Sequence, residues 1–341
     1  MNRVKLVFCI GCLVLAFQYL SSGESFAPLL HPSAALALTP EEDTWTPDAQ
    51  DQRRALPNVS TPPERREPIV RLAPREDEGI VRWVALTEGQ KVAALTFDLC
   101  ELDTVTTGCD MEVLNFLRER RIPATLFMGG KWMRTHARRV RQIMTEPLFE
   151  IGNHAWSHGN CALLSPEGLK AQVMWTQAQY ELLRENVLQA YRESGAPGPD
   201  IPAVPRLFRL PYGRSSERAL KSLADMGLRV IQWDVAAEAG DNSNPKRARR
   251  AGRRVASMVR PGSILLFHAN RVPKGTALLL REVVDALQGV GYRFVTVGEL
   301  LEMGQPQTVR DGYFTYPGDN RALDRKFGVD GTGRRTIFTG R

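Results

Sequence analysis

Short apolar runs alternate with amphipathic stretches along the chain from Lys91 onward. The apolar runs have the length of buried strands, and the stretches between them repeat apolar residues at helical spacing. Strands that alternate with helices in this way predict right-handed crossovers and a parallel sheet covered by helices. Seven such runs are enough to close into an incomplete barrel, so an α/β fold is predicted. The predicted strands are 92–97, 124–128, 149–152, 207–210, 230–233, 263–267 and 293–297, and the predicted helices are 111–120, 138–145, 166–192, 216–226, 245–259 and 276–288.

Polar residues of unusual type stand at the carboxyl ends of several predicted strands. In parallel α/β barrels these strand ends form the face on which active sites are assembled. Scattered polar residues of a core would not share this placement, so we expect these side chains to meet at one mouth of the barrel. They are Asp98, His154, Arg209 to Tyr212, Asp234 and His268.

Two of the five histidines of the chain lie four residues apart, at His154 and His158. This spacing predicts that both imidazoles lie on the same side of one helical turn. Imidazole is the commonest protein ligand of zinc, and a catalytic zinc usually takes three protein ligands and one water. The pair therefore indicates a divalent metal site that needs one more ligand, whereas the alternative is a pair of surface or packed histidines.

Five short motifs follow one another along the chain. With these motifs in this order, the chain resembles the polysaccharide deacetylases, which share the NodB homology domain and form carbohydrate esterase family four. The resemblance covers about Val92 to Leu301. It implies a distorted (β/α) barrel with about seven parallel strands. It also implies a hydrolase that removes N-acetyl groups from peptidoglycan or a chitin-like glycan with a divalent metal, usually zinc. The motifs are Leu-Thr-Phe-Asp at 95–98, Asn-His-Ala-Trp-Ser-His at 153–158, Arg-Leu-Pro-Tyr-Gly at 209–213, Trp-Asp at 233–234 and Leu-Leu-Phe-His at 265–268.

The resemblance also implies a role for each matched residue. An amide carbonyl is a poor electrophile, so such a reaction needs a metal-activated water, a base for its proton and a donor for the oxyanion. The leaving amine must also collect a proton, which an imidazolium can supply near neutral pH. The implied metal ligands are His154 and His158, the base is Asp98, the general acid is His268, the residue supporting the base is Arg209, and an oxyanion donor is the backbone N–H of Tyr212.

The chain departs from the family pattern at one position. Members usually carry a second aspartate as third metal ligand after the first, where this chain has Leu99, and leucine cannot bind a metal. We predict Glu101 as the replacement, with Asp110 or Asp98 itself as alternatives. The alternative for Glu101 is a solvated acid on a loop. The alternative for Asp110 is the N-cap of a helix. Asp234 is either an orienting partner of the site or a strand-end cap. A divergent branch resembles this chain in its Phe-Asp-x-Cys segment, in Gly108-Cys109-Asp110 and in His268-Ala269-Asn270.

The regions outside the predicted barrel indicate export. Residues 1–37 have a basic start and an apolar stretch, and are expected to be a signal peptide or an anchor in the inner membrane. Residues 38–84 are rich in proline and charge and are predicted to be a disordered linker. The catalytic domain is predicted at 85–304, followed by a C-terminal extension at 305–341 that wraps it. We therefore expect a periplasmic or extracellular protein, with membrane attachment through the N-terminal segment left open.

Export would leave three cysteines in an oxidising compartment, which permits one disulfide and one thiol. For Cys100, beside the predicted site, a structural disulfide or a buried inert thiol is expected. The net charge of +7 suits contact with an anionic cell-wall polymer or with lipid headgroups. The arginine-rich run at 246–254 continues as one face of a helix, so nucleic acid is not an expected partner.

The resemblance leaves competing functions open. One is a glycan-binding module that keeps the barrel without catalysis, which Leu99 favours. Another is a hydrolase of a non-sugar amide on the same barrel. The expected partner of the leading hypothesis is an N-acetylated glycan substrate.

Overall fold

A curled ten-stranded sheet forms the centre of the protein. The structure is a computed structural model that describes residues 45–331. The expected signal or anchor segment therefore lies outside the described residues. The strands are β1 (Ile80–Ala85), β2 (Val92–Leu99), β3 (Ala124–Met128), β4 (Phe149–Asn153), β5 (Leu207–Phe208), β6 (Arg229–Ile231), β7 (Val235–Ala236), β8 (Ile264–His268), β9 (Arg293–Val295) and β10 (Gln305–Val309).

The order of the strands matches a distorted and incomplete barrel. Neighbours follow the order β10-β1-β6-β5-β4-β3-β2-β8-β7, and β9 pairs with β2. The pairings are parallel except that of β1 with β10, which is antiparallel. The sheet curls so far that the Val84 backbone N–H donates to the carbonyl of Gly262, just ahead of β8, at 2.9 Å. The expected α/β barrel is confirmed, and β1, β7 and β10 add to the seven predicted strands.

Helices cover the outside of this sheet, and all six predicted helices are present. Three short helices of the described chain were not predicted. One of them begins at Val297, which had been expected to end the last strand, because Thr296 and Glu299 form a capping box there. The helices are α1 (Met111–Glu119), α2 (Gly130–Thr135), α3 (Ala137–Thr145), α4 (Pro166–Ser194), α5 (Glu217–Asp225), α6 (Pro245–Met258), α7 (Thr276–Gly289), α8 (Val297–Glu302) and α9 (Ala322–Phe327).

Strand β2 runs through the middle of the molecule, and all eight of its residues are buried. Successive side chains of a strand point to opposite faces. Phe97 and Leu99 belong to the apolar cluster beneath the helices, whereas Val92 and Ala94 belong to the cluster inside the barrel. By this alternation Asp98 faces the interior of the barrel at its carboxyl end.

The segment before β1 differs from the disordered linker expected at 38–84. From residue 45 onward it packs on the domain, and Asp51 is 1% exposed. Its carboxylate pairs with both the Nε and Nη2 atoms of Arg139, at 2.9 and 2.6 Å. Further along, the backbone N–H of Ile69 donates to Glu181 at 2.8 Å. A composition poor in apolar residues predicts disorder because little apolar area can be buried. This segment instead makes buried ion pairs and hydrogen bonds with the domain.

The sheet extends past both predicted limits of the catalytic domain. Strand β1 begins before residue 85, and β10 continues the sheet after residue 304. The chain after residue 304 also contacts the domain further on, where the Asn320 amide donates to the Gly213 carbonyl at 2.9 Å. Among residues 45–331, none of the helices has the length and apolar character needed to cross a membrane.

Candidate active site

An ion pair between Asp98 and Arg209 lies at the carboxyl end of the sheet. The Nη1 atom of Arg209 donates to Asp98 Oδ1 at 3.0 Å and to the Thr96 hydroxyl at 2.7 Å. The guanidinium is fully buried and lies over the Phe127 ring, 4.1 Å from its centroid. Burial lowers the pKa of Arg209 and the Asp98 charge opposes that shift. Arginine stays charged in proteins, and this guanidinium engages one oxygen of Asp98.

His154 follows β4, and the ring nitrogen that has no hydrogen-bond partner in the described chain lies beside this ion pair. Its Nδ1 lies 2.9 Å from the carbonyl oxygen of Arg209, so Nδ1 carries the proton and donates it. Its Nε2 lies 3.4 Å from Asp98 Oδ2. Within residues 45–331 this buried Nε2 has no hydrogen-bond partner. Burial lowers the pKa of His154 despite the nearby Asp98, which favours the neutral imidazole that metals bind.

His158 lies on the loop after β4 and not on the helical turn that the spacing predicted. Ala155 and His158 both have left-handed backbone conformations, with φ of 63° and 59°. Such conformations are uncommon for residues with a Cβ and cluster at functional sites. They bring the two imidazoles together, with ring centroids 4.8 Å apart and planes at 74°. Burial and the neighbouring His154 lower the pKa of His158.

Cys100, rather than a carboxylate, joins the two histidines. One ligand atom from each of Cys100, His154 and His158 can be chosen so that all three lie within 4.8 Å of one another. The cysteines of the described chain are free, so of the two alternatives expected for Cys100 the structure has the thiol and not the disulfide. Burial, followed by the charges of Asp98 and Glu101, raises the pKa of the Cys100 thiol.

The structure does not bring the predicted third ligand, Glu101, to the histidines. Its side chain is buried on the far side of the loop, where Oε1 accepts from the Thr107 backbone N–H at 2.8 Å. Its Oε2 accepts from the Thr135 hydroxyl at 2.8 Å and from the Asn58 amide. Both oxygens are thus committed to structural hydrogen bonds, several of them to segments that sequence reasoning did not place nearby.

The two other acids considered also lie apart from the cluster. Asp110 precedes α1 without a side-chain capping hydrogen bond, and the charge of Arg271 opposes the rise in its pKa that burial causes. Asp234 accepts from the Ile264 backbone N–H and the Ser263 hydroxyl, at 3.0 and 2.9 Å. It therefore ties two strands together and does not orient the site.

His268 is oriented by Glu238, which sequence reasoning missed. The imidazole Nδ1 lies 2.6 Å from Glu238 Oε2, and the Thr276 hydroxyl donates to the other oxygen of Glu238. Burial lowers the pKa of His268, but the Glu238 hydrogen bond and charge outweigh it, so the net shift is upward. His268 also stands opposite Asp98 in the β2 and β8 pairing. The only sequence signal for Glu238 is an acid shortly after a strand-end tryptophan.

Tyr212 and the C-terminal segment form one wall of the site. Tyr212 has a left-handed backbone with φ of 58°, and its ring centroid lies 4.4 Å from that of His158. On its other side the ring stacks on Phe327 at 4.9 Å. The Asn320 amide donates to the carbonyls of Tyr212 and Gly213, at 3.1 and 2.9 Å. The Tyr212 side chain therefore lies directly beside His158.

Known proteins similar to this chain are polysaccharide deacetylases. The family profile described as polysaccharide deacetylase matches residues 85–192. A peptidoglycan-N-acetylglucosamine deacetylase of Bacillus cereus is 28% identical over 227 residues, which are 66% of this chain and 95% of that protein. A chitooligosaccharide deacetylase of Rhizobium leguminosarum bv. phaseoli is 28% identical over 180 residues, which are 53% of this chain and 69% of that protein.

Solved structures agree in fold. A peptidoglycan N-acetylglucosamine deacetylase in complex with a naphthalenyl N-oxidanyl-benzamide superposes with a TM-score of 0.52 at 22% identity, over 66% of this chain and 94% of that one. A carbohydrate esterase family 4 pseudoenzyme from Bacillus anthracis gives 0.50 at 21% identity, over 65% and 69%. In sequence profile, relatives and fold, the chain is similar to the polysaccharide deacetylases of carbohydrate esterase family four.

Proposed function

We propose that the protein is a metal-dependent hydrolase that removes N-acetyl groups from a peptidoglycan or chitin-like glycan of the cell envelope or its surroundings. The observation that carries the proposal is the convergence of Asp98, His154, His158 and His268 at one edge of the sheet. The relatives named above act on N-acetylated glycans, which supports this class of substrate. The expected compartment remains the periplasm or the exterior.

The side chains fit a divalent metal, with zinc as the expected ion. His154 and His158 would hold it, because the buried Nε2 of His154 is without a partner among residues 45–331 and its Nδ1 is already fixed by a carbonyl. This pattern, in which the second ring nitrogen is engaged, is usual for metal-binding histidines. When bound, such an ion polarises an acyl oxygen and lowers the pKa of a water.

Asp98 acts as the general base in this proposal. Its Oδ1 is held by Arg209, so Oδ2 is the oxygen that remains to take a proton from the attacking water. The same oxygen lies 3.4 Å from His154 Nε2, a proposed metal ligand, which supports this role.

His268 acts as the general acid. Because its Nδ1 donates to Glu238, the proton available to the leaving amine is on Nε2. Burial lowers the pKa of His268, but Glu238 raises it to a net value above the ordinary one, which favours the imidazolium. The backbone N–H of Tyr212 is proposed to stabilise the oxyanion, since the turn that carries it lies against His158.

A second function has one observation in its favour. Leu99 stands where the family usually has a metal-binding aspartate, as expected of a glycan-binding module that has lost catalysis. Such a module would bind glycan equally well after chelation.

The test is acetate release from a panel of chitooligosaccharides and peptidoglycan by zinc-loaded protein. Asp98→Asn should lower kcat by about 10²-fold or more, the usual contribution of a general base. Asp234→Asn is the matched control, because Asp234 is a strand-end carboxylate outside the cluster, and it should keep activity. Absence of acetate from every substrate, with glycan binding intact, would establish the module instead. Activity confined to non-sugar amides in a parallel panel would overturn the glycan assignment alone.

A further inference from the structure

We propose that the third ligand of the metal held by His154 and His158 is the thiolate of Cys100, which makes the site selective for zinc-like ions. This inference rests on the proposed function, because it concerns the same metal. It replaces the carboxylate that the family places after the first aspartate with a sulfur one residue further along the chain.

The alternation of side chains along β2 explains the change of position. Leu99 ends the strand and packs in the apolar cluster beneath the helices, fully buried and directed away from the barrel interior. Thr96 and Asp98 share the opposite face, where both contact Arg209. Cys100 is the next residue of that alternation. The chain therefore offers a ligand at 100, and Leu99 is a core residue rather than a lost ligand.

The geometry of the three side chains points to a single ion. Their ligand atoms lie within 4.8 Å of one another. Ligand atoms around a tetrahedral zinc lie about 3.3 to 3.6 Å apart when the bond lengths are those usual for nitrogen and sulfur. A small inward movement of the three side chains would thus close the site. Independently of Cys100, the buried Nε2 of His154 is aimed into the cluster without a hydrogen-bond partner among residues 45–331.

The carboxylates near Cys100 already accept hydrogen bonds through all but one of their oxygens. Both oxygens of Glu101 accept hydrogen bonds elsewhere, and Asp98 Oδ1 is held by Arg209. Asp98 Oδ2 then stays free to take a proton, which it could not do as a ligand. If Asp98 bound the metal instead, the residues described here would provide no carboxylate base beside the water.

The loop that carries Cys100 is held by hydrogen bonds from Asn270 and Thr107. The Asn270 amide donates to the Cys100 carbonyl at 3.1 Å and lies 3.7 Å from its sulfur. The Thr107 hydroxyl donates to the same carbonyl at 3.0 Å. Hydrogen bonds around a ligand hold its direction and are a regular feature of metal sites.

A cysteine ligand predicts metal preference. A thiolate carries the same formal charge as an aspartate, so the net charge of the site is unchanged. Soft thiolates favour zinc and cobalt over magnesium or manganese, which prefer oxygen. The protein should therefore retain zinc against an excess of magnesium.

Cobalt substitution tests the ligand directly, since a thiolate bound to Co²⁺ gives a near-ultraviolet charge-transfer band. The full chain is titrated with Co²⁺ while absorbance and acetate release are followed. Wild type should show the band at one equivalent. Cys100→Ser should lose it and bind cobalt at least about tenfold more weakly. Cys109→Ser, which removes a buried thiol outside the cluster, should keep it, and Cys100→Asp should bind cobalt without the band.

The outcomes separate this inference from the proposed function. One equivalent of cobalt with acetate release but no band would overturn the thiolate ligand and leave deacetylation standing. Loss of the band in Cys109→Ser and its retention in Cys100→Ser would likewise overturn it. Absence of cobalt binding together with absence of acetate release would overturn both. Circular dichroism of each variant distinguishes a lost ligand from a lost fold.

Discussion

Replacement of Arg209 by lysine keeps the buried charge but removes the planar fork that spans the strand ends. Arginine presents five donors in a fixed arrangement, whereas lysine has one ammonium on a flexible stem. The lysine ammonium could donate hydrogen bonds to the acceptors at one end of the present guanidinium position, but it could not also reach those at the other end. The acceptors are the Thr96 hydroxyl at 2.7 Å, Asp98 Oδ1 at 3.0 Å, the Ile231 carbonyl at 3.3 Å and the Gln232 carbonyl at 3.2 Å.

The size of the effect follows from these four hydrogen bonds. If the ammonium keeps the Thr96 and Asp98 contacts, the carbonyls of Ile231 and Gln232 lose a donor in a region without solvent. A hydrogen bond to a charged group contributes about 1.5 to 3 kcal/mol, and the two lost contacts are long. We therefore expect Arg209→Lys to lower the free energy of unfolding by about 3 kcal/mol.

Activity should fall with stability, because Arg209 sets the position of the proposed base. A misplacement of about 1 Å can cost on the order of 10²-fold in rate, so kcat should fall by about that factor while KM changes little. The assays are urea unfolding and acetate release. Arg206→Lys is the control, because Arg206 lies just before the same strand and its side chain is exposed. A free energy of unfolding within about 0.5 kcal/mol of wild type, which is the change expected at surface sites, would refute this reasoning.

Two further predictions concern the acid and the N-terminal segment. Glu238→Gln removes the main cause that raises the pKa of His268 and leaves burial, with the Asp98 and Arg209 charges opposing each other. The pKa should fall, so acetate release should decline at lower pH than in wild type; an unchanged basic limb of the pH profile would exclude His268 as the acid. Asp51→Ala should lower the free energy of unfolding by about 3 kcal/mol, as for a broken buried ion pair; a loss below about 1 kcal/mol in urea unfolding would show that this pair does not anchor the segment.

Much of the barrel follows from hydrophobic periodicity. The runs of buried strands and the amphipathic helices are local patterns, so they were readable without knowledge of tertiary contacts. The strand-end position of Asp98, His154 and His268 then followed from the topology of parallel sheets. Strand β7 was missed because it has two residues, and β10 because its sequence is polar, whereas β1 is an apolar run that was included in the predicted linker.

The details of the site required tertiary information. The predicted strand ended at Phe97, whereas β2 continues to Leu99, and that extension determines which side chains face the barrel. The partnership of Glu238 with His268 joins residues 30 positions apart, for which the chain has no periodic signal. The anchoring of Glu101 depends on Asn58, in a segment whose composition predicted disorder.

Removal and return of the metal tests the central claim most directly. The full chain is stripped with a chelator, assayed for acetate release from chitooligosaccharide and peptidoglycan, and assayed again after one equivalent of zinc is added. The account predicts that activity is lost, returns with zinc, and does not return in His154→Ala. Activity that survives complete removal of metal, or that returns equally in His154→Ala, would contradict it.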